Sequence, residues 1–112
     1  MTDLNKEFSK ETIDKAYEAI EVAKRTGKIK KGINEVTKII ERGQAKFVVI
    51  AKDVNPQEVI MHIPALCEEK ETKFVVVPSK EDLGAAAGLQ VATTAVAIVQ
   101  EGDSKDIIKS IK

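Results

Sequence analysis

A three-layer α/β/α sandwich around a central mixed β-sheet is the fold this sequence predicts, and two features predict it. Three apolar runs, Phe47–Ala51, Phe74–Val77 and Ala95–Val99, are short, rich in β-branched residues and unalternating, as strands buried on both faces are. Amphipathic segments of helical period lie between them, and helices that alternate with such strands cover both sides of the sheet. The first helix runs from Ser9 to Arg25, with Ile13, Tyr17, Ile20 and Val22-Ala23 on its apolar side and Ser9 or Thr12 as its cap. A second runs from Gly32 to Arg42 and stops at Gly43. After the first strand, Asn55-Pro56 reads as a cap and a first-turn proline, opening a helical segment that Pro64 breaks or kinks. Ser79-Lys-Glu-Asp82 resembles a capping box with Asp in place of Glu or Gln, and starts a helix that ends near Gly88. Asp103 and Ser104 start a last short helix through Ile111.

The 112 residues suit one domain over 1–112, since domains usually hold about 50–200 residues, and no repeat or Pro/Gly/Ser linker divides them. The single Cys excludes a disulfide framework and any Cys-based zinc site, and fits a reducing, cytoplasmic setting. No apolar run approaches a membrane span, and the acidic, coreless start MTDLNKEFSKET is not expected to act as a signal peptide. Lys and Arg number 18 against 18 Asp and Glu, which at first argues against a nucleic-acid partner. The sum hides an arrangement. From Lys24 to Lys46 there are eight bases against Glu35 and Glu41, a local +6; from Asp53 to Glu71 five acids face Lys70 alone, a local −4. A binding surface needs only such a local excess, and the pattern predicts a bipolar molecule with one basic end.

The second helix carries the strongest signal. At 100° per residue, Ile33, Val36 and Ile40 fall within about 60° of one another as a buried stripe. Lys31, Asn34, Glu35, Lys38 and Arg42 gather on the other side. An amide, a carboxylate and several cations thus share one face beside a helix N-terminus, where free N–H groups and the positive dipole end favour phosphate. Cations attract an RNA backbone without reading it, whereas Asn and Glu can address base edges. An amide pairs bidentately with a purine edge, and a carboxylate accepts from guanine N–H groups that non-Watson–Crick pairing leaves free. The same residues also suit an ordinary solvated face, and Asn-Glu-x-x-Lys is too short to decide between the two.

The run Lys31-Gly-Ile-Asn-Glu-Val-Thr-Lys38 resembles the Lys-Gly-x-Asn-Glu-x-x-Lys signature of the kink-turn RNA-binding ribosomal proteins, the L-seven-Ae family. The likeness continues in register through Phe47–Pro56, His62–Lys70, Val77–Gly84 and Ala86–Val91, covering nearly the whole chain. The short length and the Val-Pro-Ser-Lys wording are most similar to archaeal members. The resemblance implies a non-enzymatic protein without cofactor or metal, monomeric, and bound to kink-turns in large-subunit rRNA and in box C/D and H/ACA guide RNAs. It admits RNase P RNA, and with it tRNA processing, as a further target. It implies proteins of the ribosome and of ribonucleoprotein particles as partners, and no membrane. By the same resemblance Asn34, Glu35 and Lys38 contact the tandem sheared G·A pairs, Lys31 and Gly32 approach the backbone, and Lys80 contacts a phosphate. Leu89, Gln90, Val91 and Ala92 pack on a flipped-out nucleotide, with Asn55 near it. Gln90 departs from the Glu expected in archaeal members, although an amide there still hydrogen-bonds.

The remaining residues have plainer readings. His62 is the only His, so neither a His-based zinc site nor a Ser-His relay can be completed; it caps or borders the Pro64 kink. Cys67 lies on an apolar helix face and reads as core. Gly84-Ala-Ala-Ala-Gly88 matches no phosphate-loop or dinucleotide pattern, and its small residues permit close packing. Phe8, Tyr17, Phe47 and Phe74 sit at core positions and form no stacking platform. A phospho-receiver signalling domain shares the size and alternation, with Asp53 after an apolar strand as acceptor, but lacks the further acids needed to hold Mg²⁺. A generic protein-interaction domain is the other alternative.

Overall fold

Residues 8–54 and 60–111 are described by the computed structural model. Their order is α1 (Lys10–Thr26), β1 (Lys28–Lys31), α2 (Ile33–Glu41), β2 (Phe47–Ala51), α3 (His62–Glu69), β3 (Phe74–Val77), α4 (Lys80–Ala86), β4 (Ala95–Gln100), a 3-10 turn (Gly102–Ser104) and α5 (Lys105–Ser110). The strands form a mixed sheet in the order β1-β4-β2-β3, with β4 antiparallel to both β1 and β2 and β2 parallel to β3. The three apolar runs are the buried strands β2, β3 and β4, and each feeds alternate residues to opposite faces. Phe47, Val49, Val75, Val77 and Ile98 join α1, α4 and α5 in one core; Val48, Ile50, Val76 and Ala97 join α2 and α3 in the other. Burying an aliphatic side chain contributes about 1.5–3 kcal/mol, so a one-residue slip of β2 would exchange the two cores at a large cost.

Most local signals act as read. The Ser9 Oγ accepts the Thr12 N–H at 3.1 Å and opens α1, and the Ser79 Oγ accepts the Asp82 N–H at 3.1 Å and opens α4. α2 stops through a Schellman motif at Gly43 (φ 69), whose N–H reaches the Ile40 carbonyl while the Gln44 N–H reaches that of Ile39. α3 closes in the same way, with Glu71 in the left-handed place at φ 54.

The structure adds one strand and corrects one buried stripe. Lys28–Lys31 is a fourth strand, which the three apolar runs do not include: it pairs with β4 at the edge of the sheet and buries only Ile29 in part. Lysines along an exposed edge also discourage pairing with other chains. The buried stripe of α2 is Val36, Ile39 and Ile40, which join the core beneath the helix, with Ile33 half-buried against it. Pro64 occupies the first turn of α3, where a missing N–H goes unneeded, and the segment it was expected to break or kink begins outside the described residues. His62 is therefore the first residue of α3, and its Nε2 lies 2.9 Å from the Thr37 Oγ1 on α2. The segment opened by Asn55-Pro56 lies outside the described residues.

Candidate nucleic-acid interface

The strand register brings distant parts of the chain to one end of the sheet. Lys31 pairs with Val96, Ile50 with Ala95 and Ala51 with Val77, so the ends of β1, β2 and β3 coincide with the start of β4. At that end lie the start of α2, residues 52–54, the start of α4 and the loop 89–94. Backbone hydrogen bonds tie them: the Gly32 N–H donates to the Ala95 carbonyl at 2.9 Å, and the Ala51 N–H to that of Thr94 at 2.9 Å. The Thr93 N–H reaches the Lys80 carbonyl at 3.1 Å.

Gly32 is the N-cap of α2 at φ 92 and ψ 147, a conformation open to glycine and strained for other residues. It carries no side-chain oxygen, so nothing caps the first-turn N–H groups, and a Cβ placed there would meet nothing within 4 Å. The result is open donors facing open space at a positive dipole end, an arrangement that suits an anion. Asn34 and Glu35 project from this first turn and Lys38 from the next; all three are exposed, and among the described residues their side chains form no hydrogen bond or ion pair. Lys31, also exposed, ends β1 immediately before.

Lys80 opens α4, half-buried, with its N–H bound to the Asp53 Oδ1 at 2.8 Å. α4 ends in a Schellman motif at Gly88, where the Leu89 N–H reaches the Gly84 carbonyl at 2.9 Å, and so launches the loop. Leu89 is half-buried, while Gln90, Val91 and Ala92 are exposed, Val91 to 69%. With Glu81 and Ala85 they line an open groove of about 460 Å³. Gly84 sets the height of this loop: a Cβ there would lie 2.2 Å from the Val91 carbonyl oxygen. The structure thus gathers Lys31, Gly32, Asn34, Glu35, Lys80 and the 89–92 loop at one end, with Lys38 one turn away. Asn55 falls outside the described residues.

The charge pattern takes a different shape from the one expected. Lys28, Lys30 and Lys31 run along the sheet edge, from the position opposite Gln100 to the one opposite Val96. Lys38 and Arg42 follow α2 back the other way. Lys24 lies apart from them, its side chain against Gly88 at the end of α4, so the +6 segment does not gather at one end. Cys67 is fully buried, and burial pushes its thiol up to about 12, so it is core and unreactive. Among the described residues no three His, Cys, Asp or Glu side chains gather as a metal site, and no helix is long and apolar enough to cross a membrane.

Known proteins share this arrangement of elements. The model of the ribosomal protein L7Ae/L30e/S12e/Gadd45 family matches residues 14–108. The chain belongs to that family. A solved structure described as a 15.5kD RNA-binding protein of Giardia lamblia superposes with a TM-score of 0.87 at 30% sequence identity. The likeness covers 93% of this chain and 87% of that one. In this family member, segment 31–38 lies on the end of the edge strand and the uncapped start of α2.

Two features of this end escaped the sequence reading. One is β1, whose single apolar residue gives no alternation to recognise. The other is the Asp53 carboxylate on the Lys80 N–H; a lone Asp just past a strand was the only signal for it.

Proposed function

We propose that this protein is a non-enzymatic, monomeric RNA-binding domain that recognises kink-turns, the bent motifs built on tandem sheared G·A pairs. The observation that carries the proposal is the start of α2. An amide and a carboxylate stand exposed and, among the described residues, unpartnered on a turn that has no side-chain cap. A carboxylate on a surface meant only for phosphates would repel its ligand. Glu35 makes sense where it accepts from guanine N1–H and amino groups, which sheared pairs leave open. Asn34 adds a second edge contact, Lys31, Lys38 and Lys80 hold phosphates, and Gly32 lets the backbone come close. The exposed Val91 and its neighbours in the 89–92 loop cover an extruded nucleotide, with Asn55 beside it. Gln90 serves there as a neutral amide.

Family membership, the RNA-binding description of the Giardia lamblia relative and the intact Lys31–Lys38 signature support this reading. Large-subunit rRNA, box C/D and H/ACA guide RNAs and RNase P RNA are the targets it assigns, in a cytoplasmic and archaeal setting, among ribosome and ribonucleoprotein-particle proteins. In mechanism, the protein selects the kinked state of an RNA that also samples extended ones and shifts its population. The deciding experiment titrates a kink-turn RNA beside the same RNA with its G·A pairs converted to Watson–Crick pairs. Strong preference for the first is expected; equal affinities reject the proposal.

A further inference from the structure

Asp53 has no part in the interface just described, yet it is built into it. The side chain lies just past β2, exposed, and its Oδ1 accepts the Lys80 N–H at 2.8 Å from 27 residues away in sequence. The Lys80 carbonyl is held from another side by the Thr93 N–H at 3.1 Å. Both polar main-chain groups of one lysine are therefore fixed by two other loops. The helix already has its own cap, since Ser79 accepts from Asp82, so Asp53 satisfies a second first-turn donor from outside the helix. A carboxylate beside a surface meant for phosphates opposes binding through its charge. Its geometry works in the other direction.

We propose that Asp53 is a positioning residue for RNA binding: by locking the first residue of α4 to the end of β2, it aims the Lys80 ammonium at the RNA backbone. The proposal rests on the reading of Lys80 as a phosphate contact. Because charge and geometry act with opposite sign at Asp53, substitutions separate them. Asp53→Ala removes both the acceptor and the charge, whereas Asp53→Asn keeps an acceptor oxygen and removes only the charge.

The test titrates a kink-turn RNA with the full chain and with Lys80→Ala, Asp53→Ala, Asp53→Asn and the Asp53→Ala/Lys80→Ala double variant, thermal melting confirming that each is folded. Lys80→Ala and Asp53→Ala are each expected to weaken binding roughly tenfold, the scale of losing one charge-assisted hydrogen bond. Asp53→Asn should bind at least as tightly as the unsubstituted protein. In the Lys80→Ala background, Asp53→Ala should cause no further loss, since the two act through one contact. A loss in Lys80→Ala with Asp53→Ala unaffected, or with Asp53→Asn as weak as Asp53→Ala, overturns the positioning role alone. So does a loss from Asp53→Ala that persists without Lys80, which marks general loosening. If Lys80→Ala binds normally, the reading of Lys80 fails and takes this proposal with it. Should Asp53→Ala unfold, Asp53→Asn decides: undiminished affinity supports the role of the acceptor, and weakened affinity overturns it.

Discussion

α2 and α4 begin at the same end of the sheet and finish alike, each in a Schellman motif with glycine in the left-handed position. They differ in how they start. α4 is closed by Ser79, which takes the Asp82 N–H, and by Asp53, which takes that of Lys80. α2 starts at a glycine with no side-chain cap, and its first turn carries polar side chains that form no hydrogen bond or ion pair among the described residues. A helix start whose donors are satisfied internally is scaffold, because an incoming anion gains little there. A start left open at a glycine loses only roughly a few tenths of a kcal/mol of capping and keeps its donors for a ligand. One end of the sheet thus holds one helix start whose donors are taken by side chains and another that has no side-chain cap, and the proposed reading assigns recognition to the second.

The comparison breaks most directly at Glu35. Glu35→Ala should reduce the preference for a kink-turn over its Watson–Crick counterpart by about 1–3 kcal/mol, the worth of a good base contact. Removing a negative charge would by itself strengthen RNA binding, so tighter binding with unchanged preference would show that Glu35 reads nothing. Next in size is a contrast between the two helix starts, followed by denaturant unfolding and the same RNA pair. Gly32→Ala forces a side chain into φ 92 and should cost about 1–2 kcal/mol of stability and weaken RNA binding with it. Ser79→Ala should cost about 1 kcal/mol of stability while the folded protein keeps its RNA preference. Equal effects of the two on RNA binding would erase the distinction drawn here.

The last effect appears only at alkaline pH. The Tyr17 hydroxyl donates to the Ser79 carbonyl at the closed helix start, and its pKa is raised, by burial first and then by Asp82. Cys67 is raised from 9.0 to about 12 by burial. Each group is neutral when protonated and holds its proton more tightly in the folded state. Its contribution is therefore whole below the unfolded pKa and is lost as pH rises through the folded value. Melting temperature should decline from about pH 9 upward; Cys67→Ala should flatten that decline, and Tyr17→Phe only its part above about pH 10.

Much of the fold was readable because its signals are local. Ser9, Ser79, Gly43 and Gly88 act on groups within a turn of themselves, and β2, β3 and β4 are apolar enough to announce burial on both faces. The exposed face of α2 was legible for the same reason, since helical period places Asn34, Glu35 and Lys38 together whatever surrounds them. β1 was not legible: an edge strand needs to bury only one residue, and Lys-Ile-Lys-Lys carries no pattern that separates it from a helix approach. The first-turn place of Pro64 was missed because nothing near it in sequence marks where α3 starts.

The sequence alone determined the layers, the caps and the chemistry of the α2 face, since each depends on residues within a few positions of one another. Only the tertiary structure decided that Lys80, Thr93 and Asp53 meet, and that the basic residues spread over the end of α1, the edge strand and α2 instead of one end. Those outcomes follow from β4 threading antiparallel between β1 and β2. That register is set by two cores filling at once, and no local stretch of chain carries it.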